Sequence, residues 1–267
     1  MSLAIEVQGL TYKFPNAPAP ALVDVSLEVG WNTRTLIVGS NGAGKSTLLK
    51  LLSGKHLCLT GNILVDGMDP FSPVSQQHRE QDGCQTTTYL GTEWCHMSFI
   101  NRDIGVLELL NSIGFEHFRD RGEALIDILD VDVNWRMHRL SDGQKRRVQL
   151  AMGLLKPWRL LLLDEVTVDL DVLARSRLLS FLEHETRNRR CSVVYATHIF
   201  DGLAEWPDKL IHIRDGRLVK SLDYKQDVFF EQELRKVTES GKTVKLGYTK
   251  SLHPLALSWI SKDEGKN

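Results

Sequence analysis

Residues 38–54 read VGSNGAGKSTLLKLLSG. No other stretch restricts the fold of this chain as tightly. The string Gly39-Ser40-Asn41-Gly42-Ala43-Gly44-Lys45-Ser46, continued by Thr47, matches the pattern G-x-x-x-x-G-K-[ST]. Its glycines let successive backbone N–H groups turn inward and approach an anion closely. The geometry needs a strand entering and a helix leaving. Residues 34–38 have the apolar run of a short strand, and 46–52 have helical apolar spacing. Such a helix start presents free amides and its positive dipole end to phosphate oxygens. Lys45 adds a mobile charge for the β- and γ-phosphates, and the Ser46 hydroxyl suits Mg²⁺, which prefers oxygen ligands.

The rest of the chain reads as α/β. Period-2 apolar spacing predicts half-buried strands at 4–7 and 23–29, with the Pro-rich PNAPAP loop between them. Further strands are predicted at 62–65, 86–90, 160–163 and 192–196, and helices at 104–113, 123–129, 144–155 and 172–187. Residues 70–84 read as a polar surface loop, and 209–219 as a hairpin about Asp215-Gly216. Strands alternating with helices imply parallel pairing and a doubly wound sheet, into which a helical block is inserted. Beyond about Tyr224 the pattern weakens, and residues 225–267 read as an extension without an assigned role.

Composition narrows the classes of function. With 267 residues, 42% hydrophobic and 25% charged, the chain suits one globular domain plus an appendage. A formal net charge of -1 provides no overall field for nucleic acid or anionic lipid. The six tryptophans do not interleave with basic residues, so no direct nucleic-acid binding is predicted. Cys58, Cys84, Cys95 and Cys191 are scattered, which fits a reducing compartment and gives no metal-ligand spacing. His56, His96, His117 and His138 do not cluster either. MSLAIEVQGL does not read as a secretory leader, and no apolar run approaches the roughly 20 residues that span a bilayer. The expectation is a cytoplasmic protein, also nuclear, without membrane insertion.

A second motif lies at 160–165, LLLLDE, where an apolar strand ends in two acids. Asp164 at the strand tip is placed to hold a Mg²⁺ shell, and Glu165 to orient or activate a water. Upstream, Leu140-Ser141-Asp142-Gly143-Gln144 opens an amphipathic helix. Downstream come EVTVDLD, ending at Asp171, and Ala196-Thr197-His198. In order and spacing these motifs resemble those of the ABC ATPases. The resemblance implies an α/β P-loop NTPase fold. Residues 1–224 would form an ABC-type nucleotide-binding domain with a parallel core sheet, an antiparallel β subdomain and a helical subdomain inserted at about 95–156. It further implies ATP and Mg²⁺ as ligands, Mg-dependent hydrolysis of ATP to ADP and phosphate, and an ATP-dependent head-to-tail homodimer. In that arrangement Glu165 and His198 are catalytic, and Ser46 and Asp164 hold the metal. Ser141 and the Gly143 backbone contact the nucleotide of the partner copy, Gln144 of the same signature motif supports that turn, and Asp171 of the D-loop reaches across the interface. Tyr12 and Phe14 alternate along one predicted strand. Phe14 fits the adenine platform better, while the competing reading has both rings filling the core.

Three departures from the family pattern stand out. Asp142 occupies a position where glycine is commoner, and Val166 one where proline is usual. The Q-loop glutamine is not evident: Gln85 comes too early, and Thr92 or Glu93 holds the expected place. That departure puts coupling to a membrane domain in doubt. TTTYLGTEWCHMS, RMHRLSDGQKRRVQLAMGLLKPW and LLLDEVTVDLD resemble a soluble, single-domain branch of the family. These are fungal ABC ATPases associated with the Ccr–Not mRNA deadenylase and transcription-regulator complex. That resemblance implies an ATP-driven switch in transcription or mRNA metabolism, with Ccr–Not subunits as partners. Two alternatives stay open: the ATP-binding subunit of a transporter with membrane domains on separate chains, and an interaction module that binds ATP with little turnover. Lys145-Arg146-Arg147 is read as a solvated helix face rather than an RNA contact.

Overall fold

The computed structural model describes residues 3–58, 60–72, 80–81, 84–93, 102–228, 236–239, 242–245 and 251–263. Most of the predicted 70–84 loop, and the start of the predicted helical subdomain at 95–101, lie outside the described residues. Strands β1 (Ile5–Tyr12), β2 (Leu22–Val29) and β4 (Asn62–Val65) form an antiparallel sheet ordered β2-β1-β4. The main sheet contains β3 (Arg34–Val38), β5 (Glu80–Gln81), β6 (Cys84–Leu90), β7 (Trp158–Asp164), β8 (Ser192–Ala196), β9 (Lys209–Arg214) and β10 (Arg217–Asp223). Its order is β10-β9-β3-β8-β7-β6-β5, with β9, β3, β8, β7 and β6 mutually parallel and antiparallel strands at both edges. A separate ribbon pairs β11 (Lys236–Glu239) with β12 (Lys242–Lys245).

The parallel strands are apolar throughout because both faces of the sheet are covered. Period-2 geometry divides their side chains between two cores. Ile37, Leu160, Leu162, Val194, Ala196, Ile211 and Ile213 face the small antiparallel sheet and helix α1 (Lys45–Leu52). Leu36, Val38, Leu161, Leu163, Val193 and Tyr195 face the other core, with α4 (Asp142–Leu155) and α5 (Val172–Asn188). The inserted helices α2 (Val106–Ser112) and α3 (Arg119–Leu129) continue that second core through Phe115, Leu125 and Leu129. A short turn of helix, α6 (Tyr224–Asp227), follows β10. The last helix, α7 (His253–Asp263), packs on the same core through Ala256 and Trp259, with Leu252 just ahead of it. The Trp259 ring stacks on buried His212 at 4.8 Å, and Asp263 Oδ2 lies 2.9 Å from His212 Nε2.

Element types match most expectations, except that the predicted 70–84 loop contains edge strand β5 and the start of β6, where a two-residue antiparallel pairing leaves no apolar pattern to read; the other differences have local causes. Strand β1 runs to Tyr12 rather than ending near residue 7, because two register shifts break its alternation, the first around Gly9 at φ +58°. Phe14 therefore lies beyond the strand that ends at Tyr12, ahead of Pro15, which disfavours helical backbone at the preceding residue. Helix α3 starts at Arg119, four residues earlier than its apolar spacing indicated, since its first turn is polar. The basic run on α4 is not a solvated face. Arg146 is only 3% exposed, and Arg147 bridges Asp130 and Asp171 at 2.6 and 2.7 Å.

Gly122 lets α3 lie against Phe115: a Cβ there would meet the ring at 2.4 Å and Leu155 Cδ1 at 3.1 Å. In an exposed helix Gly→Ala gains up to about 1 kcal/mol. Here overpacking should dominate. Gly122→Ala is expected to destabilise the chain by about 1–3 kcal/mol, read as a lower urea midpoint at unchanged slope.

Candidate active site

The loop between β3 and α1 is shaped by close backbone approach. A Cβ on Gly39 would lie 2.3 Å from the Ile213 carbonyl oxygen, so only glycine lets the loop pass the end of β9. Gly44, at φ +107°, forms the start of α1, and a Cβ there would meet Ala21 O at 2.8 Å and Leu22 Cδ2 at 2.7 Å. The Gly216 N–H donates to Ala43 O at 3.0 Å, docking the loop on the β9–β10 hairpin. No side chain caps α1, so the amides of its first turn, which includes Thr47, are free to receive an anion. Ser40, Asn41 and Gly42 form the outer wall, with Asn41 and Gly42 exposed. Lys45 is buried beneath it, and its Nζ donates to Gly39 O at 2.8 Å and Ser40 O at 2.9 Å. Burial pushes this ammonium down from the usual lysine range, while Glu165 and Asp164 pull the other way.

Asp164 ends β7 in register with Ala196 at the end of β8. Its carboxylate is buried, with the Ser46 hydroxyl donating to Oδ1 and the Tyr89 hydroxyl to Oδ2, each at 2.9 Å. Burial pushes the carboxyl above the usual carboxylate range, and the two hydroxyl donors oppose that rise. Burial and the neighbouring Asp164 together push the Tyr89 phenol up. Glu165 adopts φ +54°, a left-handed backbone uncommon outside glycine, and its N–H donates to Ala196 O at 2.9 Å. That twist turns the side chain toward His198, just past β8, whose Nδ1 is 3.2 Å from Glu165 Oε2. Both groups reach solvent, being 26% and 51% exposed respectively. Val166, where proline was expected, is fully buried in the second core.

Lys45, Ser46, Asp164, Glu165 and His198 thus converge at the carboxyl ends of β3, β7 and β8. A second group forms at the start of α4. The Ser141 Oγ accepts the Gln144 N–H at 3.3 Å, and the Gln144 Oε1 accepts the Ser141 N–H at 3.0 Å, a reciprocal cap. Gly143 packs beside the loop after β7: a Cβ there would lie 3.1 Å from Asp169 O. Asp142 points outward, 79% exposed and 4.0 Å from Lys145 Nζ. Asp171 caps α5 through Oδ1, which accepts the Ala174 N–H at 2.9 Å, while Oδ2 accepts from Arg147 at 2.7 Å. Phe14 meets Tyr12 edge-on at 5.0 Å and His56 at 5.6 Å, in a three-ring group.

Three residues at the site were not anticipated. Arg146 and Gln149 both donate to the Gly91 carbonyl, at 3.0 and 2.8 Å. Helical spacing already puts them on the buried stripe of α4 with Leu150 and Leu154. Tyr89, the third, gave no sequence signal, since its target lies on a neighbouring strand. Gln85 sits inside β6, where Thr88 Oγ1 donates to it at 2.6 Å, and Glu93 pairs with Lys50 on α1. Among the described residues no group of three or more His, Cys, Asp or Glu side chains forms a metal cluster. Mg²⁺ does not require one. Ser46 Oγ and Asp164 Oδ1, hard oxygens 2.9 Å apart beside the uncapped start of α1, fit its usual pairing of one or two protein oxygens with phosphates and waters.

Comparison with known proteins bears on the family and the fold. The family profile described as ABC transporter matches residues 22–168. The chain is 65% identical over 274 aligned residues to CCR4-associated factor 16 of Saccharomyces cerevisiae, covering 97% of this chain and 95% of that one. It is 39% identical to ABC transporter I family member 20 of Arabidopsis thaliana, covering 97% of this chain and 76% of that protein. Among solved structures, cbiO1 from Clostridium perfringens, part of the ABC transporter complex cbiONQ, superposes with TM-score 0.67 at 22% identity, over 85% of this chain and 90% of that one. The dimeric structure of MJ0796, a bacterial ABC transporter cassette, gives TM-score 0.68 at 20% identity over 82% and 98%. At those identities the structural likeness shows the fold: a P-loop NTPase with parallel core sheet, antiparallel β subdomain and inserted helical subdomain.

The Ala174 amide and, more weakly, Arg147 hold the Asp171 carboxyl below the usual carboxylate range. A depressed folded-state value stabilises above the unfolded-chain value near 4, roughly, and that stability is lost as pH falls through the folded value. Asp171→Ala should cost about 1 kcal/mol at neutral pH, and Asp171→Asn, which keeps the cap, less. The gap between wild type and Asp171→Asn should narrow as denaturation midpoints are followed from pH 5 downward. A gap that widens would contradict the assignment.

Proposed function

The chain belongs to the ABC transporter family of ATP-binding proteins, and from that premise we propose that it hydrolyses ATP with Mg²⁺ and works as an ATP-driven dimerisation switch. Lys45, Gly39, Ser40, Asn41, Gly42, Ala43, Gly44 and Thr47 bind the triphosphate. Ser46 and Asp164 hold the metal, whose charge neutralises the phosphates when it is bound. Glu165 accepts a proton from the attacking water, and His198, 3.2 Å from it, fixes the carboxylate and reaches toward the terminal phosphate. Phe14 stacks on the adenine.

The dimer reading rests on one observation. The start of α4 and the loop after β7 form a single outward surface, joined by Gly143 against Asp169 and by Arg147 against Asp171. Val168, Val172 and Leu173 expose 40%, 74% and 60% of their area there. Large apolar side chains grouped beside polar caps are what an interface buries. The occupant we infer is a second copy set head to tail, so that Ser141, Gly143 and Gln144 close on the partner's triphosphate while Asp171 crosses the interface.

The biological setting follows from the 65% identical yeast relative, whose name describes a CCR4-associated factor. We infer the same association here, with Ccr–Not subunits as partners in transcription or mRNA metabolism, in cytoplasm and nucleus. No described helix is long and apolar enough to cross a membrane. A second reading, a transport motor serving membrane domains on other chains, draws on the name of the plant relative. Affinity capture on Glu165→Gln in Mg-ATP, with Lys45→Ala as control, separates the two. Deadenylase or transcription-regulator subunits support the switch, and a stoichiometric multispan membrane protein supports the motor.

Glu165→Gln is expected to lower turnover by about a hundredfold or more and to remain dimeric by light scattering in saturating Mg-ATP. Adding Leu173→Glu should return it to monomer. A Glu165→Gln protein that stays monomeric would overturn the head-to-tail arrangement.

A further inference from the structure

We propose that Tyr89 is a positioning residue of the nucleotide site, its hydroxyl holding one oxygen of Asp164 while Ser46 holds the other. The inference rests on the ATP reading above and extends it to a residue outside the sequence motifs. Tyr89 is paired in register with Leu162 on β7, two residues short of Asp164. Its ring must therefore lie along the sheet toward the strand ends to bring the hydroxyl within 2.9 Å of Oδ2. Gly91 makes room for that path. A Cβ at residue 91 would stand 2.6 Å from the Tyr89 hydroxyl and 2.9 Å from both Cε1 and Cζ. The backbone beneath the ring is held in turn, because the Gly91 carbonyl accepts from buried Arg146 and Gln149. From another element, Lys55 Nζ lies 4.3 Å from the ring centroid, a favourable cation–π placement.

The arrangement orients Asp164 in a way that one donor would not. A carboxylate with a donor on each oxygen has its plane fixed. Ser46 is also a metal-holding hydroxyl, and once its oxygen turns to a cation its donation to Asp164 changes. Tyr89 is the side-chain donor that then keeps the carboxylate plane in place. The contact Tyr89 makes is to Asp164 itself, so its proposed role is exerted through Asp164.

The test is the Mg²⁺ dependence of nucleotide binding, read with a fluorescent ATP analogue on the full chain. Wild type is compared with Tyr89→Phe, Gly91→Ala and Lys45→Ala. One hydrogen bond to a charged group predicts that Tyr89→Phe raises the Mg²⁺ concentration for half-maximal binding about tenfold, with metal-free affinity within about twofold. Gly91→Ala, which keeps the phenol but displaces its ring, should do the same. If Gly91→Ala does not fold, Tyr89→Phe, which removes one oxygen, decides alone. An unchanged Mg²⁺ midpoint in Tyr89→Phe overturns the proposal, as does an equal loss of affinity with and without metal, which marks a purely structural residue. Loss of binding in Lys45→Ala beside an unchanged Tyr89→Phe leaves the ATP reading standing and removes only the role of Tyr89. A wild-type chain that binds no nucleotide overturns both.

Discussion

The carboxylate of Asp164 is where the separate parts of this molecule meet. It ends the buried strand β7, and it is nearly closed off from solvent. A buried carboxylate is costly unless hydrogen-bonded, and its two hydroxyl donors come from different elements, Ser46 from α1 and Tyr89 from β6. Each donor is placed by a glycine. Gly44 lets α1 start hard against Ala21 and Leu22, and Gly91 leaves space for the phenol. The parallel pairing of β6 with β7 and of β7 with β8 brings Tyr89, Asp164 and the Glu165–His198 pair to one edge. Misplacing any of these strands by one residue would turn the acid into an apolar core.

From that edge a chain of polar contacts runs into the inserted helices. Gly91 follows β6, and its carbonyl accepts from Arg146 and Gln149 of α4. The Arg146 Nε also lies 3.6 Å from Asp169 in the loop that carries Val168 and Asp171. One buried guanidinium therefore touches the strand end behind the proposed metal site and the loop beside the proposed interface. Removing one partner of a buried charge is far more damaging than exchanging an exposed one. A rigid link of this sort can make the position of the α4 cap depend on the state of β6. It gives a physical basis for coupling the proposed nucleotide contact to the proposed dimer contact, without requiring a long-range deformation of the sheet.

Legibility in the sequence followed the range of the interaction. The strand–loop–helix geometry around the glycines was readable, because glycine spacing, lysine and hydroxyl act within a single strand–turn–helix unit. The two acids at the end of β7 were readable because an apolar run stops at them. Tyr89 was not readable, since its meaning depends on a parallel neighbour whose register only the assembled sheet fixes. Arg146 was misread because three adjacent cations suggest a wet surface when counted by charge. Counted by helical period, Arg146, Gln149 and Leu150 share one stripe. The same holds for α7, where Leu252, Ala256 and Trp259 have helical spacing within a segment that carried no other pattern. Strand β1 was cut short because its bulges spoil a strict period of two.

The aspartate in the α4 cap also becomes intelligible in these terms. A carboxylate directed at a triphosphate would repel it, and Asp142 follows the very serine that is proposed to receive one. The side chain is instead 79% exposed, with Lys145 at 4.0 Å. In the first turn of a helix an acid interacts favourably with the positive dipole end, so Asp142 helps stabilise the α4 start. The same field would serve an incoming phosphate, and an acid already there uses part of it. Solvent screening at such exposure keeps the direct repulsion small. The substitution therefore favours a well-formed cap. In the proposed dimer the same acid would weaken the pull of that cap on the partner's nucleotide, a balance that suits an interface proposed to open again after hydrolysis more than one that stays closed.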